Sequence, residues 1–225
     1  MTTATKQHEL RITLPMMRQS LYAAVVCDAL DAMGLRHQSP RLQLRPQTGV
    51  RKIIGRCKTT RWAEMTHDDP STYDMELRAV DACRTDDVMI CAASGSMRSG
   101  IWGELLSTAA RNCGCVGAIV DGAVRDIEKM TAMQFGVFSR GTSPYDSMNR
   151  QRVVEIDCTV EIDGVRFCSG DLVIADADGV VVIPREAEEE AVRRAWAKVH
   201  AENVTREAIK NGMKATAAYE KYGVL

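Results

Sequence analysis

Residues 88–130 decide the fold class, and they read VMICAASGSMRSGIWGELLSTAARNCGCVGAIVDGAVRDIEKM. The apolar runs at 88–92 and 116–120 are short and are bounded by small or polar residues, which is typical of buried strands. Between them, apolar residues recur at helical spacing over 101–109. A strand, a helix and a second strand in succession predict an α/β fold with a parallel pair of strands.

The residues on either side predict further helices and strands. Ser20 is a candidate N-cap for a helix that runs to Met33 and ends at Gly34. Further on, Asp-Gly pairs at 163–164 and 178–179 predict tight turns between strands.

The C-terminal part predicts a strand followed by a long helix. The apolar run 180–183 ends at Pro184, where we expect the helix to begin. Because no repeat or linker interrupts the sequence, we expect a loose arm over 1–18, one domain over 19–213 and a tail over 214–225.

Composition excludes several classes of protein. The chain has 225 residues, of which 45% are hydrophobic and 26% are charged, so it is neither disordered nor fibrous. The net charge is -1, and no apolar run approaches the roughly 18 residues of a membrane span. A basic stretch at 41–61 lacks aromatic residues and is followed by eight acids over 62–87, which favours a solvated surface over a nucleic-acid patch. We expect neither a nucleic-acid nor a membrane partner.

The cysteines and histidines do not indicate a metal centre. The eight cysteines contain no Cys-x-x-Cys pair, and the four histidines share no ligand spacing. Cys113 and Cys115 form the only close pair and flank an apolar run, so we interpret them as buried thiols. With no visible secretion signal, reduced thiols predict a cytoplasmic protein.

The phosphate-binding and nucleophile motifs are absent. Neither Gly-x-Gly-x-x-Gly nor Gly-Lys-Ser/Thr occurs, which argues against a dinucleotide enzyme and a P-loop enzyme. The polar residues Asp121, Arg125 and Asp126 instead follow the apolar run that ends at Val120. Ligands of open α/β sheets bind outside the carboxyl ends of the strands, so these side chains can hold an anionic substrate and a hard cation. Alternatively, Asp121 caps a helix and pairs with Arg125.

A second candidate lies twenty residues before Arg125. Gly103-Glu104-Leu105-Leu106 opens the amphipathic helix, and the small Gly103 allows a ligand to approach the backbone. The free amides of Leu105 and Leu106 can hold a carboxylate. The alternative is that Glu104 is only a first-turn acid that the helix dipole stabilises.

These residues carry a resemblance to a known family. The sequence resembles the 4-hydroxy-4-methyl-2-oxoglutarate aldolases, which are class II pyruvate aldolases related to the regulator of ribonuclease E activity A. The resemblance spans about residues 21–213 and rests on Gly103-Glu-Leu-Leu, Asp121-Gly-x-x-Arg125-Asp126, Asp28-Ala-Leu-Asp31-x-x-Gly34, Phe138-x-x-Gly141-x-x-Pro144 and Gly170-Asp-Leu-Val-x-x-Asp176-x-Asp178-Gly179-Val-Val-Val-x-Pro184. It implies a single-domain layered α-β-β-α sandwich similar to the phosphohistidine swivelling domains.

The resemblance also implies the roles of the site residues. Asp126 is expected to bind Mg²⁺ or Mn²⁺ directly, and Glu104 and Glu202 to contact it through water, Glu202 from a neighbouring subunit. Arg125 is expected to contact the keto oxygen of the substrate. Its carboxylate is expected to lie at Gly103 and at the amides of Leu105 and Leu106.

The implied activity is a lyase reaction in a homotrimer or hexamer. A 4-hydroxy-2-oxo acid would be cleaved by retro-aldol reaction to pyruvate, and oxaloacetate would be decarboxylated. The alternative within the resemblance is a non-catalytic regulator of ribonuclease E activity. Those regulators resemble this chain but have glycine at the position of Glu104, whereas the aldolases often have aspartate there, so Glu104 favours the enzyme. Arg61, His67 and Arg78 are further candidates for contacts with the distal part of the substrate.

Overall fold

The computed structural model describes residues 11–224, which form seven α-helices and ten strands. The helices are α1 (Leu14–Ser20), α2 (Ala23–Asp31), α3 (Asp74–Asp81), α4 (Glu104–Asn112), α5 (Ile127–Ala132), α6 (Glu188–Lys210) and α7 (Ala215–Tyr222). The strands are β1 (Arg45–Pro46), β2 (Ile53–Glu64), β3 (Asp87–Ala92), β4 (Gly117–Val124), β5 (Gly136–Thr142), β6 (Gln151–Ile156), β7 (Val160–Ile162), β8 (Val165–Phe167), β9 (Leu172–Ala175) and β10 (Val180–Ile183).

Eight strands form one sheet, in the order β1-β5-β4-β3-β2-β9-β10, with β6 also paired to β2. The central strands β2, β3, β4 and β5 are parallel, and the outer pairings are antiparallel. The long β2 pairs with β9 near its start and with β6 near its end. This change of partner lets the sheet curl, with β7 and β8 forming a separate hairpin.

Alternation along the strands gives the sheet an inner and an outer face. Successive side chains of a strand point to opposite faces. On β4, Ile119 packs in the inner core with the β7–β8 hairpin, while Ala118 and Val120 pack in a second core on the other face. On β9, Val173 belongs to the inner core, and Leu172 and Ile174 pack against α2 and α6.

The predicted fold class is confirmed. The chain is a single-domain mixed α/β fold with a curled sheet, and the predicted strand–helix–strand unit corresponds to β3, α4 and β4 with a parallel β3–β4 pair. The Asp-Gly turns at 163–164 and 178–179 connect β7 to β8 and β9 to β10. The predicted long helix is α6, which a short 3-10 turn, Arg185–Ala187, precedes.

The predicted start of the second helix is wrong. Ser20 is the last residue of α1, and α2 begins at Ala23. The amide of Ala23 donates a hydrogen bond of 2.7 Å to the carboxylate of Asp176, so an acid distant in sequence takes the place of a local cap. The expected arm 1–18 contains part of α1, whose Met17 is buried, and the expected tail 214–225 contains α7.

The eight cysteines are free thiols, and Cys115 is buried, whereas Cys113 is half-buried. Between residues 11 and 224, no group of three or more metal-ligating side chains comes together. The same part of the chain contains no helix of sufficient length and hydrophobicity to span a membrane.

Candidate active site at the end of strand β4

Three chain segments meet at the carboxyl end of β4. On one side, the amide of Ile101 donates to the carbonyl of Ala123 at 3.0 Å, and the amide of Arg125 donates to the carbonyl of Trp102 at 2.9 Å. On the other side, the amide of Ser143 donates to the carbonyl of Val124 at 3.0 Å. These backbone bonds fix the start of α4, the residues after β4 and the segment after β5 beside one another.

Gly103 allows the first two of these segments to touch. A Cβ atom at this position would lie 2.6 Å from Oδ2 of Asp126, which is too close for any side chain. The amide of Glu104 donates to the same Oδ2 at 3.3 Å. The glycine that the sequence places at the start of α4 is therefore required for the close approach of Asp126.

Asp126 has an unusual backbone conformation. Its φ of 59° lies in the left-handed region, which non-glycine residues seldom adopt and which often occurs at functional sites. Although it is the N-cap of α5, its carboxylate makes no capping hydrogen bond to that helix. The carboxylate instead lies at the start of α4, where it is partly exposed.

Arg125 is held by a carboxylate that the sequence did not identify. Its Nη2 lies 2.7 Å from Oδ2 of Asp146, and its Nε lies 3.8 Å from Oδ2 of Asp126. The hydroxyl of Tyr73 donates to Oδ1 of Asp146 at 2.5 Å. Arg125, Asp146 and Tyr73 thus form a chain of polar contacts from the end of β4 to the residue before α3.

The pKa values follow from these contacts. Burial opposes ionisation of Asp146, but the hydrogen bonds from Tyr73 and from the amide of Met148, together with the charge of Arg125, lower the pKa of its carboxyl group below the usual value. Burial, and then the hydrogen bond to Asp146, raise the pKa of Tyr73 to about 12. Asp146 is therefore ionised and Tyr73 protonated at neutral pH, which keeps Arg125 paired.

These groups line a cavity of about 280 Å³. Its walls are Tyr73, Glu76, Leu77, Gly100, Ile101, Gly103, Leu105, Leu106, Arg125, Asp126, Asp146 and Ser147. An open cleft lined by Arg98 and Arg150 shares Tyr73 and Asp146 with the cavity. A larger cavity, of about 500 Å³, lies between α1 and α6 and contains none of the residues at the end of β4.

The wall contains one buried carboxyl group, on Glu76 of α3. The residue is 6% exposed, and its Oε2 has no hydrogen-bond partner among the described residues. Burial, and then the charge of Asp146, raise the pKa of Glu76 to about 8, although Arg125 opposes this shift. Glu76 is therefore largely protonated at neutral pH.

The first turn of α4 supplies backbone donors to the same cavity. The first hydrogen bond of the helix runs from the amide of Ser107 to the carbonyl of Gly103, at 3.0 Å. The amides of Leu105 and Leu106 precede this bond, so neither has a partner within the helix. Both residues line the cavity, where their amides and the helix dipole favour an anion.

Glu104 and Glu202 lie in different places within one chain. Glu104 follows Gly103 directly, and its carboxylate accepts a hydrogen bond of 3.0 Å from Thr108. Glu202 on α6 accepts a hydrogen bond from Tyr22, lies 3.7 Å from Arg206, and is not part of the cavity wall. Because its expected role concerns a neighbouring subunit, that role stays a prediction.

Asp121 does not belong to the site. We expected it to follow the end of the strand, but it lies within the strand. The strand β4 continues to Val124, and Asp121 lies within it with 2% exposure. Its Oδ1 is 2.5 Å from Nε of Arg140, so it neither caps a helix nor pairs with Arg125. The contact with the partly exposed Arg140 explains how the strand accommodates a buried acid.

The three candidates for contacts with the distal part of the substrate also lie outside the cavity wall. Arg61 pairs with Glu155 at 2.5 Å, and Arg78 pairs with Asp74 at 3.2 Å. Neither they nor the exposed His67 belong to the cavity wall.

Comparison with known proteins identifies the family of this chain. A family model described as RraA-like, Aldolase/RraA, matches residues 23–182, which contain the whole cavity wall. The chain belongs to the RraA-like family. This family includes aldolases as well as RraA proteins, so the predicted membership is confirmed.

Three relatives illustrate the range of the family. A protein of Halalkalibacterium halodurans named "Putative 4-hydroxy-4-methyl-2-oxoglutarate aldolase" is 30% identical over 194 residues, which cover 86% of this chain and 87% of that protein. Protein DlpA of Legionella pneumophila is 29% identical over 213 residues, which cover 93% of this chain but 34% of DlpA. The chain therefore spans about a third of the length of DlpA.

The third relative is a solved structure. RraAS2 of Streptomyces coelicolor, described as an unusual member of the RNase ES inhibitor RraA protein family, is 25% identical to this chain. The match has a TM-score of 0.73 and covers 83% of this chain and 91% of RraAS2. RraA-like proteins thus share the fold described above.

The raised pKa of Glu76 predicts a distinctive dependence of stability on pH. In an unfolded chain a glutamate ionises near pH 4.3, whereas Glu76 in the folded protein ionises at about pH 8. Between these values unfolding releases a proton, so this residue lowers the free energy of unfolding by about 1.4 kcal/mol for each unit of rising pH.

We expect Glu76→Gln to remove this slope. Urea denaturation of the wild type and the variant between pH 5 and 9 measures the difference. The exposed Glu161→Gln serves as the matched control and is expected to retain the wild-type slope. Parallel curves for the wild type and Glu76→Gln would contradict the assignment.

Proposed function

We propose that the chain is a divalent-metal-dependent lyase that cleaves a 4-hydroxy-2-oxo acid, of the 4-hydroxy-4-methyl-2-oxoglutarate type, to pyruvate and a second oxo compound. The observation that carries the proposal is the placement of Arg125 between the carboxylates of Asp126 and Asp146 in a cavity that also receives the first-turn amides of α4. A cation and unpaired amides suit the keto oxygen and the carboxylate of a 2-oxo acid.

The substrate is proposed to bind with its 2-oxo acid end against α4. The amides of Leu105 and Leu106 would accept the carboxylate, and Gly103 leaves the backbone accessible. Arg125 would donate to the keto oxygen. The distal carboxylate would extend into the adjoining cleft, where Arg98 and Arg150 supply positive charge.

Asp126 is proposed to hold the metal. Its carboxylate is partly exposed and makes no capping bond to α5. Oδ2 accepts the amide of Glu104 at 3.3 Å, so the other carboxylate oxygen is proposed to face the cation. One or two carboxylates completed by water and substrate oxygens suit Mg²⁺ or Mn²⁺, whereas zinc prefers histidine and cysteine ligands. When bound, such a cation acts as a Lewis acid toward the 2-oxo acid.

The protein groups then handle the charge and the protons of the reaction. Cleavage of the C3–C4 bond leaves an electron pair that spreads onto the keto oxygen as an enolate, toward which Arg125 is a preorganised donor. Glu104, and Glu202 of a second subunit, are proposed to accept the proton of the 4-hydroxyl through water. Loss of CO₂ from oxaloacetate gives the same enolate, so we propose decarboxylation as a second activity.

The assembly is proposed to be a homotrimer or a hexamer. Large apolar side chains are exposed on and around the cavity wall, which favours a subunit interface there: Leu77, Leu105, Tyr145 and Met148. A closed ring can bring α6 of one subunit, with Glu202, to the cavity of the next.

A regulator that binds ribonuclease is the second candidate function. The similarity to RraAS2 favours it. In that case Glu104 is only an acid in the first turn of α4, where its interaction with the helix dipole stabilises the fold by about 0.3–1 kcal/mol.

We expect a chelator to abolish pyruvate release from oxaloacetate, and Mg²⁺ or Mn²⁺ to restore it better than Zn²⁺. Asp126→Ala should stay folded but lose metal binding, measured by calorimetry, together with pyruvate release, measured by a coupled assay. Glu128→Ala, which removes an exposed acid of α5, is the control and should retain both. Full activity of Asp126→Ala without added metal would exclude this site.

Glu104→Gly, assayed by pyruvate release from 4-hydroxy-4-methyl-2-oxoglutarate, separates the two candidate functions, because this substrate carries the 4-hydroxyl proton that Glu104 is proposed to accept. An enzyme should lose about 10²–10⁴-fold in kcat, the range of general acid–base catalysis, and Glu104→Asp should keep much of the activity. A wild-type protein that releases no pyruvate from a broad panel of 2-oxo acids would favour the regulator.

The shared site predicts complementation between inactive subunits. Asp126→Ala and Glu202→Ala proteins should each be inactive, and mixed oligomers should regain part of the activity because some sites combine an intact Asp126 with an intact Glu202. Dissociation and reassembly of the mixture, followed by an assay of pyruvate release from 4-hydroxy-4-methyl-2-oxoglutarate, measures this recovery. A fully active monomer by sedimentation would contradict the shared site.

A further inference from the structure

A buried carboxyl group in the cavity wall has no role in the steps above. Glu76 on α3 is 6% exposed, and its Oε2 lies in the protein interior without a hydrogen-bond partner among the described residues. The side chain lines the cavity on one side. On the other side it borders a small closed gap between apolar residues that include Trp102 and Leu106.

Packing alone does not account for this residue. The closed gap is bordered mainly by apolar side chains, and its polar neighbour Thr60 is bonded to the carbonyl of Ile90. An unpaired carboxyl group costs free energy in such surroundings, whereas leucine or methionine of similar size would not. Groups of this kind concentrate at functional sites, where a ligand supplies the missing partner.

The charges around Glu76 keep it in the neutral form. The negative charge of Asp146 disfavours ionisation of Glu76, while the positive charge of Arg125 favours it. Two further titratable neighbours, Tyr73 and the buried thiol of Cys91, are neutral at pH 7. The carboxylate of Asp126 lines the same cavity. Glu76 can therefore give up a proton within the cavity, and it recovers one readily because its carboxylate is unfavourable there.

We propose that Glu76 is a further catalytic residue of the cavity, the acid that donates a proton to C3 of the pyruvate enolate. This inference rests on the proposed lyase function, which requires an acid at that carbon. It adds protonation by a residue of the subunit's own cavity wall to the deprotonation that is proposed for Glu104 and Glu202.

The step balances without any further reactant. In oxaloacetate the bond from C3 to the departing carboxylate breaks, and its electron pair forms the enolate. The O–H bond of Glu76 then breaks as the C3–H bond forms, which gives pyruvate and a Glu76 carboxylate. Solvent returns one proton to this carboxylate in each turnover. In the aldol cleavage the proton lost from the 4-hydroxyl compensates for the one taken up at C3.

The test compares Glu76→Gln with the wild type in the Mg²⁺-dependent decarboxylation of oxaloacetate. The amide keeps the size of the side chain and can donate a hydrogen bond, but it cannot deliver a proton. We expect kcat to fall about 10²–10⁴-fold with little change in KM. Glu161→Gln is again the control, and circular dichroism and pyruvate binding by calorimetry check that the variant is folded and its cavity intact.

A pH profile gives a readout that a structural role would not change. In the wild type, kcat should fall above about pH 8, where Glu76 loses its proton, and this basic limb should disappear in Glu76→Gln. Infrared spectroscopy should detect a protonated carboxyl group in the wild type that is absent from the variant and that titrates together with kcat.

The outcomes separate this inference from the proposed function. An active wild type with a Glu76→Gln variant of near-normal kcat would overturn the role of Glu76 and leave the lyase intact. If the variant does not fold, a wild-type profile without a basic limb, or a carboxyl band that titrates apart from kcat, would overturn it as well. A wild type without turnover on any 2-oxo acid would overturn both.

Discussion

The contact between Arg125 and Asp146 is the interaction on which the candidate site depends. It joins the end of β4 to the segment after β5, and the hydrogen bond from Tyr73 to Asp146 extends this connection to α3. Without Asp146, the ion pair that remains to the guanidinium group of Arg125 is the longer one to Asp126, at 3.8 Å. Because Arg125 pairs with Asp146, the carboxylate of Asp126 remains available to a ligand. The same contact holds the guanidinium group of Arg125 in the cavity wall.

The ion pair between Arg125 and Asp146 positions the guanidinium group and contributes little to the stability of the fold. The side chains of Arg125 and Asp146 are each 34% exposed, and ion pairs at such exposure contribute about 1 kcal/mol or less. The fold is stabilised instead by its buried cores, with Ile119 and Val120 of β4 completely inaccessible. The site can therefore vary in chemistry while the sheet and helices remain the same, which is consistent with a family that includes both aldolases and RraA proteins.

The sequence predicted the parts of the site that are local in the chain. The α/β class, the parallel β3–β4 pair, the helix after Gly103 and the positions of Arg125 and Asp126 followed from periodicity and from short motifs. We expected Asp121 to lie beyond the strand because the apolar run ends at Val120, but β4 continues to Val124. The carboxylate of Asp121 tolerates that burial because Arg140 reaches it from β5 and the amide of Gly95 donates to it, contacts that spacing does not reveal.

The residues that the sequence did not identify come from distant elements. Tyr73, Glu76 and Asp146 carry no motif, and they reach the cavity only because α3 and the segment after β5 pack beside the end of β4. Glutamate is rarely buried, so nothing in the sequence distinguishes Glu76 as a residue of the protein interior, where the structure places it. The helix α2 shows the same dependence on tertiary structure, since its first amide is bonded to Asp176, more than a hundred residues away.

If this cavity forms the enolate of pyruvate, the protein exchanges the methyl protons of pyruvate with deuterium of the solvent. Proton NMR of pyruvate in D₂O, with the protein and Mg²⁺, follows the loss of the methyl signal without any need for the full substrate. We expect exchange well above the rate without protein. We expect this exchange to be lost in Arg125→Lys, because a lysine lacks the planar donor fork that Asp146 orients. Wild-type exchange at the background rate, or equal exchange in Arg125→Lys, would contradict this expectation.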